Sequence, residues 1–271
     1  MFKVFYDDNG TFADISMKME NFLVDTDTRT IVSGEDSIYV GLYKPINNLF
    51  IAFDTANTES VNLSVEYFNS STFTSIATLA DRTSDFTRNG FIDWTRPANE
   101  VKTIINNVES YWYKISFDGD TSEIVLKGIS QLLSDDNDIK EEEPRLLDAD
   151  YYPSGESSYL LYHQAARKEI VQKIRNEGHR ITGNVSFKIF ESYDLHNRQE
   201  LRQASKYLVM SKIYFNLSDA PGDKYYEKYL DYRKMYADAV NVFYLSYDKD
   251  DDGIEDTAEK QMRKFGEIVR I

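Results

Sequence analysis

The sequence contains no cysteine. Disulfides and thiolate chemistry are therefore excluded, and any metal must be held by oxygen or imidazole. Imidazole is itself scarce. The three histidines, His163, His179 and His196, have no second ligand at helical spacing, which argues against a zinc or di-metal centre. No apolar run approaches the roughly 20 residues of a membrane span. The opening Met-Phe-Lys-Val-Phe-Tyr-Asp-Asp reaches acids too soon for a signal peptide, so synthesis in the cytoplasm is expected. There is no G-x-x-x-x-G-K-[ST] or G-x-G-x-x-G cradle for phosphates, and no G-x-S-x-G nucleophile elbow. Carboxylate pairs of the kind a glycosidase needs are so frequent in the first half that none stands out.

What the chain does have is tyrosine and acid. Of its 271 residues, 20 are Tyr, aromatics reach 14% and hydrophobics 41%. A tyrosine buries a ring while keeping a polar tip wet, which suits partly exposed surfaces and subunit contacts as well as a core. The net charge of −15 is uneven. Residues 1–150 carry 12 basic and 27 acidic side chains, whereas residues 151–271 carry 19 of each. The acidic first half would repel nucleic-acid phosphates.

Periodicity divides the chain. Residues 1–36 are weakly patterned and read as an edge strand or ordered arm. From Ser37 to Gln131 the period is two: Ile38, Val40 and Leu42; Leu49, Ile51 and Phe53; Val61, Leu63, Val65 and Tyr67; Tyr111, Tyr113, Ile115 and Phe117; Ile124, Leu126 and Gly128. Turn formers separate these runs, so the spacing predicts an antiparallel β-sandwich over residues 1–133. Residues 134–150, SDDNDIKEEEPRLLDAD, are acidic enough to predict a solvated linker. The fold class expected is thus α+β: a sandwich, an acidic linker, then a small helical bundle over residues 151–271.

In that last part, Tyr159, Tyr162, Ala166, Ile170 and Ile174 make a helical stripe, and Val185, Phe187 and Ile189 a single strand that must find a partner elsewhere. The runs DLHNRQELRQASKYLVMSKIYFNLS and DKYYEKYLDYRKMYADAVNVFYLSYD follow. Leu201, Ala204, Leu208, Ser211 and Phe215 share one face of the first, and Tyr226, Tyr229, Tyr236, Val240 and Phe243 one face of the second. The short join, Ser218-Asp219-Ala220-Pro221-Gly222-Asp223, predicts an antiparallel hairpin.

Two constellations carry chemistry. In DKDDDGIEDTAE, the residues Asp248, Asp250, Asp252, Asp256 and Glu259 are spaced like a calcium loop, with Gly253 at the tight turn; alternate carboxylates would converge on a hard cation in a structural role. The alternative is an acidic surface loop. Trp94 and Trp112 are candidates for stacking on a sugar, against the reading of Trp112, within Tyr111-Trp112-Tyr113, as core or sheet surface.

Two stretches resemble known proteins. Asp81 to Pro97, with its T-x-x-F-x-x-x-G-x-I-x-W pattern, followed by Tyr111-Trp112 and Ile115, is similar to a β-sandwich of tailed-bacteriophage structural proteins. Leu201 to Glu259, with Tyr-x-x-Met-Ser-Lys-Ile-Tyr ending one helix, a Tyr-rich second helix and the acidic loop, resembles the helical core of phage head-to-tail connector (adaptor) proteins. The resemblance implies a virion neck protein without catalysis or required cofactor. It implies a twelve-subunit ring between the portal protein and tail or neck components, the genome passing through the channel without specific binding and no membrane contact. It departs from simple adaptors in the large sandwich. Under this reading Tyr225, Tyr232 and Tyr236 are candidate interface residues, as are Phe265, Ile268 and Ile271 of the C-terminal segment. Two rival classes remain open from the sequence: a carbohydrate- or receptor-binding sandwich on a helical oligomerisation stalk, as in a neck or tail fibre, and a hydrolase within the sandwich.

Overall fold

The computed structural model describes residues 2–20, 22, 26–154, 156–176, 180–182, 187–189, 192, 195, 198–241, 243–246 and 260–263. The chain is of mixed α+β type. It divides into two compact units, Met1–Gln131 and Leu132–Ile271.

The first unit begins with β1 (Lys3–Asp8), β2 (Thr11–Asp14), a short helix α1 (Ser16–Glu20) and β3 (Asp27–Arg29). It continues through β4 (Asp36–Leu42), β5 (Asn48–Thr55), β6 (Leu63–Phe68), β7 (Phe73–Ser75) and β8 (Leu79–Asp81). The last strands are β9 (Gly90–Trp94), β10 (Thr103–Ile105), β11 (Val108–Phe117) and β12 (Ile124–Ser130). They form a seven-stranded sheet, β2-β1-β4-β11-β6-β7 with β10 also on β11, and a five-stranded sheet, β3-β12-β5-β9-β8. Every pairing is antiparallel. Two hairpin turns have both central residues at positive φ, Asn9 (46°) with Gly10 (89°) and Asn106 (44°) with Asn107 (64°), the geometry whose twist matches that of paired strands.

The N-terminal stretch is not an arm. β1 lies between β2 and β4, with Tyr6 opposite Ile38 and Val4 opposite Val40. The alternation expected for β4 is also absent: all seven of its residues are buried. One face, with Ile38 and Val40, joins the main core. The other carries a cluster of its own, Phe5, Tyr39 and Trp112, edged by Phe12 and Phe73. Trp112 lies opposite Gly41 in the register, and a Cβ on Gly41 would meet the indole at 2.5 Å. The glycine is there because the ring occupies that space.

The motif Thr83 to Trp94 has a physical explanation. Ser84, Asp85 and Phe86 are all left-handed, at φ 51°, 56° and 68°, which costs roughly 1–2 kcal/mol per residue. Asp81 holds the turn, its carboxylate accepting from Thr83 N, Thr83 Oγ1 and Asp85 N. Phe86, fully buried, fits between Phe53 at 4.8 Å and Phe117 at 4.9 Å, one ring from each sheet. A Cβ on Gly90 would sit 2.7 Å from the Arg82 carbonyl oxygen.

The second unit opens with the acidic segment, and that segment is not a linker. It forms α2 (Asp136–Glu142) and two 3-10 turns, Pro144–Leu147 and Ala149–Tyr151, with Ile139 and Leu146 in the hydrophobic core. Asp135 and Asp138 cap the start of α2 reciprocally, each carboxylate accepting from the other's backbone N–H. Because these residues belong here, the charge divides differently. The first unit carries 10 basic and 19 acidic side chains, the second 21 and 27.

The unit continues with α3 (Leu160–Asn176), β13 (Arg180–Thr182), β14 (Phe187–Ile189), α4 (Gln199–Leu217), α5 (Lys224–Asn241), β15 (Phe243–Ser246) and β16 (Lys260–Arg263). The strand at Phe187 finds its partner just before it, β13. The second long helix ends sooner than its pattern predicts: Phe243 lies in β15, which pairs with β16. Asp223 builds the α4–α5 turn. Its Oδ1 accepts from the N–H groups of Tyr225 and Tyr226, and its Oδ2 from those of Asp219 and Ala220, satisfying donors that a helix start leaves open. The core comprises the expected Ala166, Ile170, Ile174, Leu201, Ala204, Leu208, Tyr236 and Val240, together with Val209, Met210, Ile213, Tyr214 and Tyr232.

Candidate functional site

The polar side chains of the second unit converge where α2 and the turn after it meet α4 and α5. Asp138 accepts from Arg202 Nε at 2.6 Å, and Glu141 from Arg202 Nη2 at 2.9 Å. Glu142 pairs with Lys206 at 2.9 Å, and Glu143 pairs with Lys228. The acids and bases recur at the spacings that put them on facing sides of their helices, so α2 is held along its length by ions. Asp138 is the most buried of these carboxylates, with 1% of its side chain exposed. Burial, with the Asp138 charge beside it, pushes the Asp135 carboxyl above its usual range.

Next to this clamp is a tyrosine stack. Tyr214 on α4 lies parallel to Tyr232 on α5, with Tyr225 stacked on Tyr214 and Tyr207 tilted against Tyr232. Glu143 accepts from Tyr232 Oη at 2.9 Å, and Lys228 donates to Tyr214 Oη at 3.1 Å while lying over that ring. Burial raises the Glu143 carboxyl, but hydrogen bonds from Lys228 and Tyr232 outweigh it and hold the group below its usual range. Burial and the Glu143 contact both raise the Tyr232 phenol. A small cavity of about 190 Å³ opens beside the stack, lined by Glu143, Tyr214 and Lys228 together with residues of the turns and of the α5 start. A larger open groove of about 470 Å³ runs along α3 and α4 past Leu161, Tyr162, Ala165 and Phe215.

A third cluster has the composition of a hydrolase triad. Ser134 Oγ lies 2.8 Å from His163 Nδ1, and His163 Nε2 lies 3.2 Å from Asp136 Oδ1. Ser205 Oγ is 2.7 Å from Ser134 Oγ. A consistent assignment has Ser205 donating to Ser134, Ser134 to Nδ1, and the Nε2 proton to the carboxylate. Ser134 and Ser205 are fully buried and His163 is 2% exposed. A substrate carbonyl cannot reach that oxygen, so the geometry is that of a satisfied core network.

The predicted site residues fare unequally. Trp94 is 6% exposed and Trp112 1%. Trp94 donates to the Ile46 carbonyl and packs 5.1 Å from Tyr113, while Trp112 donates to the Thr103 and Val108 carbonyls and stacks on Phe5. Neither offers a free face to a sugar. Tyr232 and Tyr236, expected at an interface, are buried in their own unit, and Tyr225 is partly buried against Tyr214. Phe215, placed on the inward face by its spacing, is 54% exposed. Asp248, Asp250, Asp252, Asp256 and Glu259 lie outside the described residues, as do Phe265, Ile268 and Ile271. Sequence reasoning missed the acidic clamp and the cavity. The signal was present: acids at 138, 141 and 142 with bases at 202 and 206, a matched ladder read only as charge.

No protein-family model matches the chain, and no curated protein does. Among solved structures, CpGH89 from Clostridium perfringens, in complex with its substrate GlcNAc-alpha-1,4-galactose, aligns at 12% identity with a TM-score of 0.27. The alignment covers 65% of this chain and 20% of that one. At that TM-score the likeness carries no argument.

Proposed function

We propose that the chain is a structural protein of a tailed-phage virion: a head-to-tail adaptor forming a ring between the portal and tail or neck components, without catalysis. In this reading the two sheets make a β-sandwich appended to an adaptor-like helical bundle. The ring is twelve-fold by resemblance, the genome passes without specific binding, and any calcium held by residues 248–259 is structural. One observation supports it above the others. The α4–α5 hairpin leaves apolar side chains exposed, Phe215 (54% exposed) and Leu230 (50%); Tyr229, itself packed against the core, lies 5.1 Å from Phe215, and Tyr226 5.6 Å from Tyr229. Exposed side chains of this kind are what a helical hairpin presents to a neighbouring subunit. The interface is thereby moved from Tyr232 and Tyr236 to these four residues.

The test is native mass spectrometry of the protein alone and mixed with a portal protein. A ring, or a monomer that becomes one on the portal, with loss of assembly in Phe215→Asp and Leu230→Asp, is the expected result. A monomer indifferent to both conditions overturns the proposal.

A further inference from the structure

The small cavity beside the tyrosine stack has a charge opposite to that of its surroundings. Both units are net acidic, yet the lining holds the cations Arg145, Lys224 and Lys228 and one anion, Glu143. Lys228 is occupied by Glu143. Arg145 and Lys224 have no acidic partner among the described residues, and both are exposed. Lys224 lies over the Tyr225 ring, 4.6 Å from its centroid. Tyr151 and Tyr225 both line the cavity, and Tyr225 raises the Tyr151 phenol further than Lys224 lowers it. Asp148 acts on Tyr151 from outside the lining.

The elements that deliver these groups are fixed independently. Arg145 stands on the 3-10 turn whose Leu146 is in the core, and the Leu146 and Tyr151 carbonyls both accept from the buried Tyr159 hydroxyl. Tyr225 and Lys224 stand at the start of α5, where Asp223 accepts from the Tyr225 and Tyr226 N–H groups. The lining side chains offer a guanidinium fork, an ammonium and phenol hydroxyls as donors. A guanidinium and a lysine together suit a tetrahedral oxyanion better than an apolar ligand. The lining's excess of two positive charges matches a dianion. At about 190 Å³ the space falls below the range of sites for drug-sized ligands, roughly 300–1,000 Å³.

We propose that this cavity binds a phosphate dianion, through Arg145 and Lys224 with one phenol hydroxyl of the Tyr151–Tyr225 pair as a further donor. Its source is either free inorganic phosphate or the phosphoryl end of a small monoester. The site does not depend on the ring reading; it needs only the folded helical unit.

Isothermal titration calorimetry of the full chain with inorganic phosphate, and separately with glycerol phosphate, tests it at matched ionic strength in sodium chloride. Saturable binding of at least one is expected, weakened at least tenfold by Arg145→Gln and by Lys224→Gln. Equal affinity for the two probes identifies free phosphate as sufficient; a tenfold preference for the ester identifies a monoester. Both substitutions are at exposed positions, and unchanged thermal unfolding verifies the fold. The proposal is overturned by the absence of saturable binding in the millimolar range, by competition from chloride at equal ionic strength, or by binding that survives both substitutions.

Discussion

The rings of Tyr214 and Tyr232 are parallel to within 1°, with centroids 5.6 Å apart. Glu143 and Lys228 tie the two phenols together at their polar ends. The pair therefore joins α4 to α5 by stacking and to the turn after α2 by a charge-assisted hydrogen bond. Removing only that hydrogen bond, in Tyr232→Phe, should destabilise the helical unit by about 1.5–3 kcal/mol, the range for bonds to charged groups. Urea unfolding followed by helical circular dichroism measures it. A change below about 0.5 kcal/mol, the level of an ordinary surface substitution, would mean the bond is not formed.

Acid should loosen the same unit. The Glu143 and Glu169 carboxyls are raised by burial but brought below their usual range by partners, Lys228 and Tyr232 for the first and Lys212 and Arg233 for the second. Backbone donors, Tyr226 N–H foremost, lower Asp223. A lowered carboxyl contributes stability that is complete above its unfolded value and lost as pH falls through its folded one. The midpoint of thermal unfolding should therefore drop as pH falls below about 4.5, the unperturbed Glu value. Asp135, raised, has the opposite slope. In Glu143→Gln the acid-side fall should be shallower; an unchanged slope would remove Glu143 from the account.

Among the described residues Arg202 is the one cation paired with the Asp138 carboxylate, and that carboxylate is nearly inaccessible. Arg202→Ala leaves the charge buried and uncompensated, at a cost of about 3–5 kcal/mol. The double variant with Asp138→Asn should recover part of it. A double-mutant cycle decides: additive losses would show the two side chains to be independent.

Ser134→Ala separates a core network from a nucleophile. It strands the His163 and Ser205 groups that Ser134 serves, and a loss of about 1–3 kcal/mol is expected. Esterase activity in the parent protein that vanishes in this variant would contradict the structural reading.

The strands with clean alternation, such as Ile115 to Phe117 and Leu63 to Tyr67, were legible because each shows the core one apolar side. β1 was not, since Val4, Phe5 and Tyr6 are buried in succession, and a strand covered on both faces loses its period. The acidic segment was misread for a different reason. Composition reports how much charge a stretch carries, and only the positions of Arg202, Lys206 and Lys228 show that the charge is matched. The α4–α5 hairpin was legible from its turn residues, but the inward face of α5 was only partly so. A helix this rich in tyrosine offers more than one stripe, and Tyr232 rather than Tyr226 turned inward because Tyr214 and Glu143 meet it there. The cavity and its unpaired cations required tertiary structure, since Arg145 and Lys224 are far apart in the chain.

The left-handed turn at Ser84, Asp85 and Phe86 has a kinetic consequence. Its backbone conformation is unfavourable, and the Asp81 hydrogen bonds offset it together with the contact of Phe86 with Phe53 and Phe117, residues distant in sequence and on different sheets. A peptide of residues 81–90 alone keeps the Asp81 hydrogen bonds but lacks the contacts with Phe53 and Phe117. The turn must then lock after the long-range closure of the two sheets rather than nucleate it. Phe86 becomes a reporter of completed assembly of this unit: a substitution there should speed unfolding far more than it slows folding.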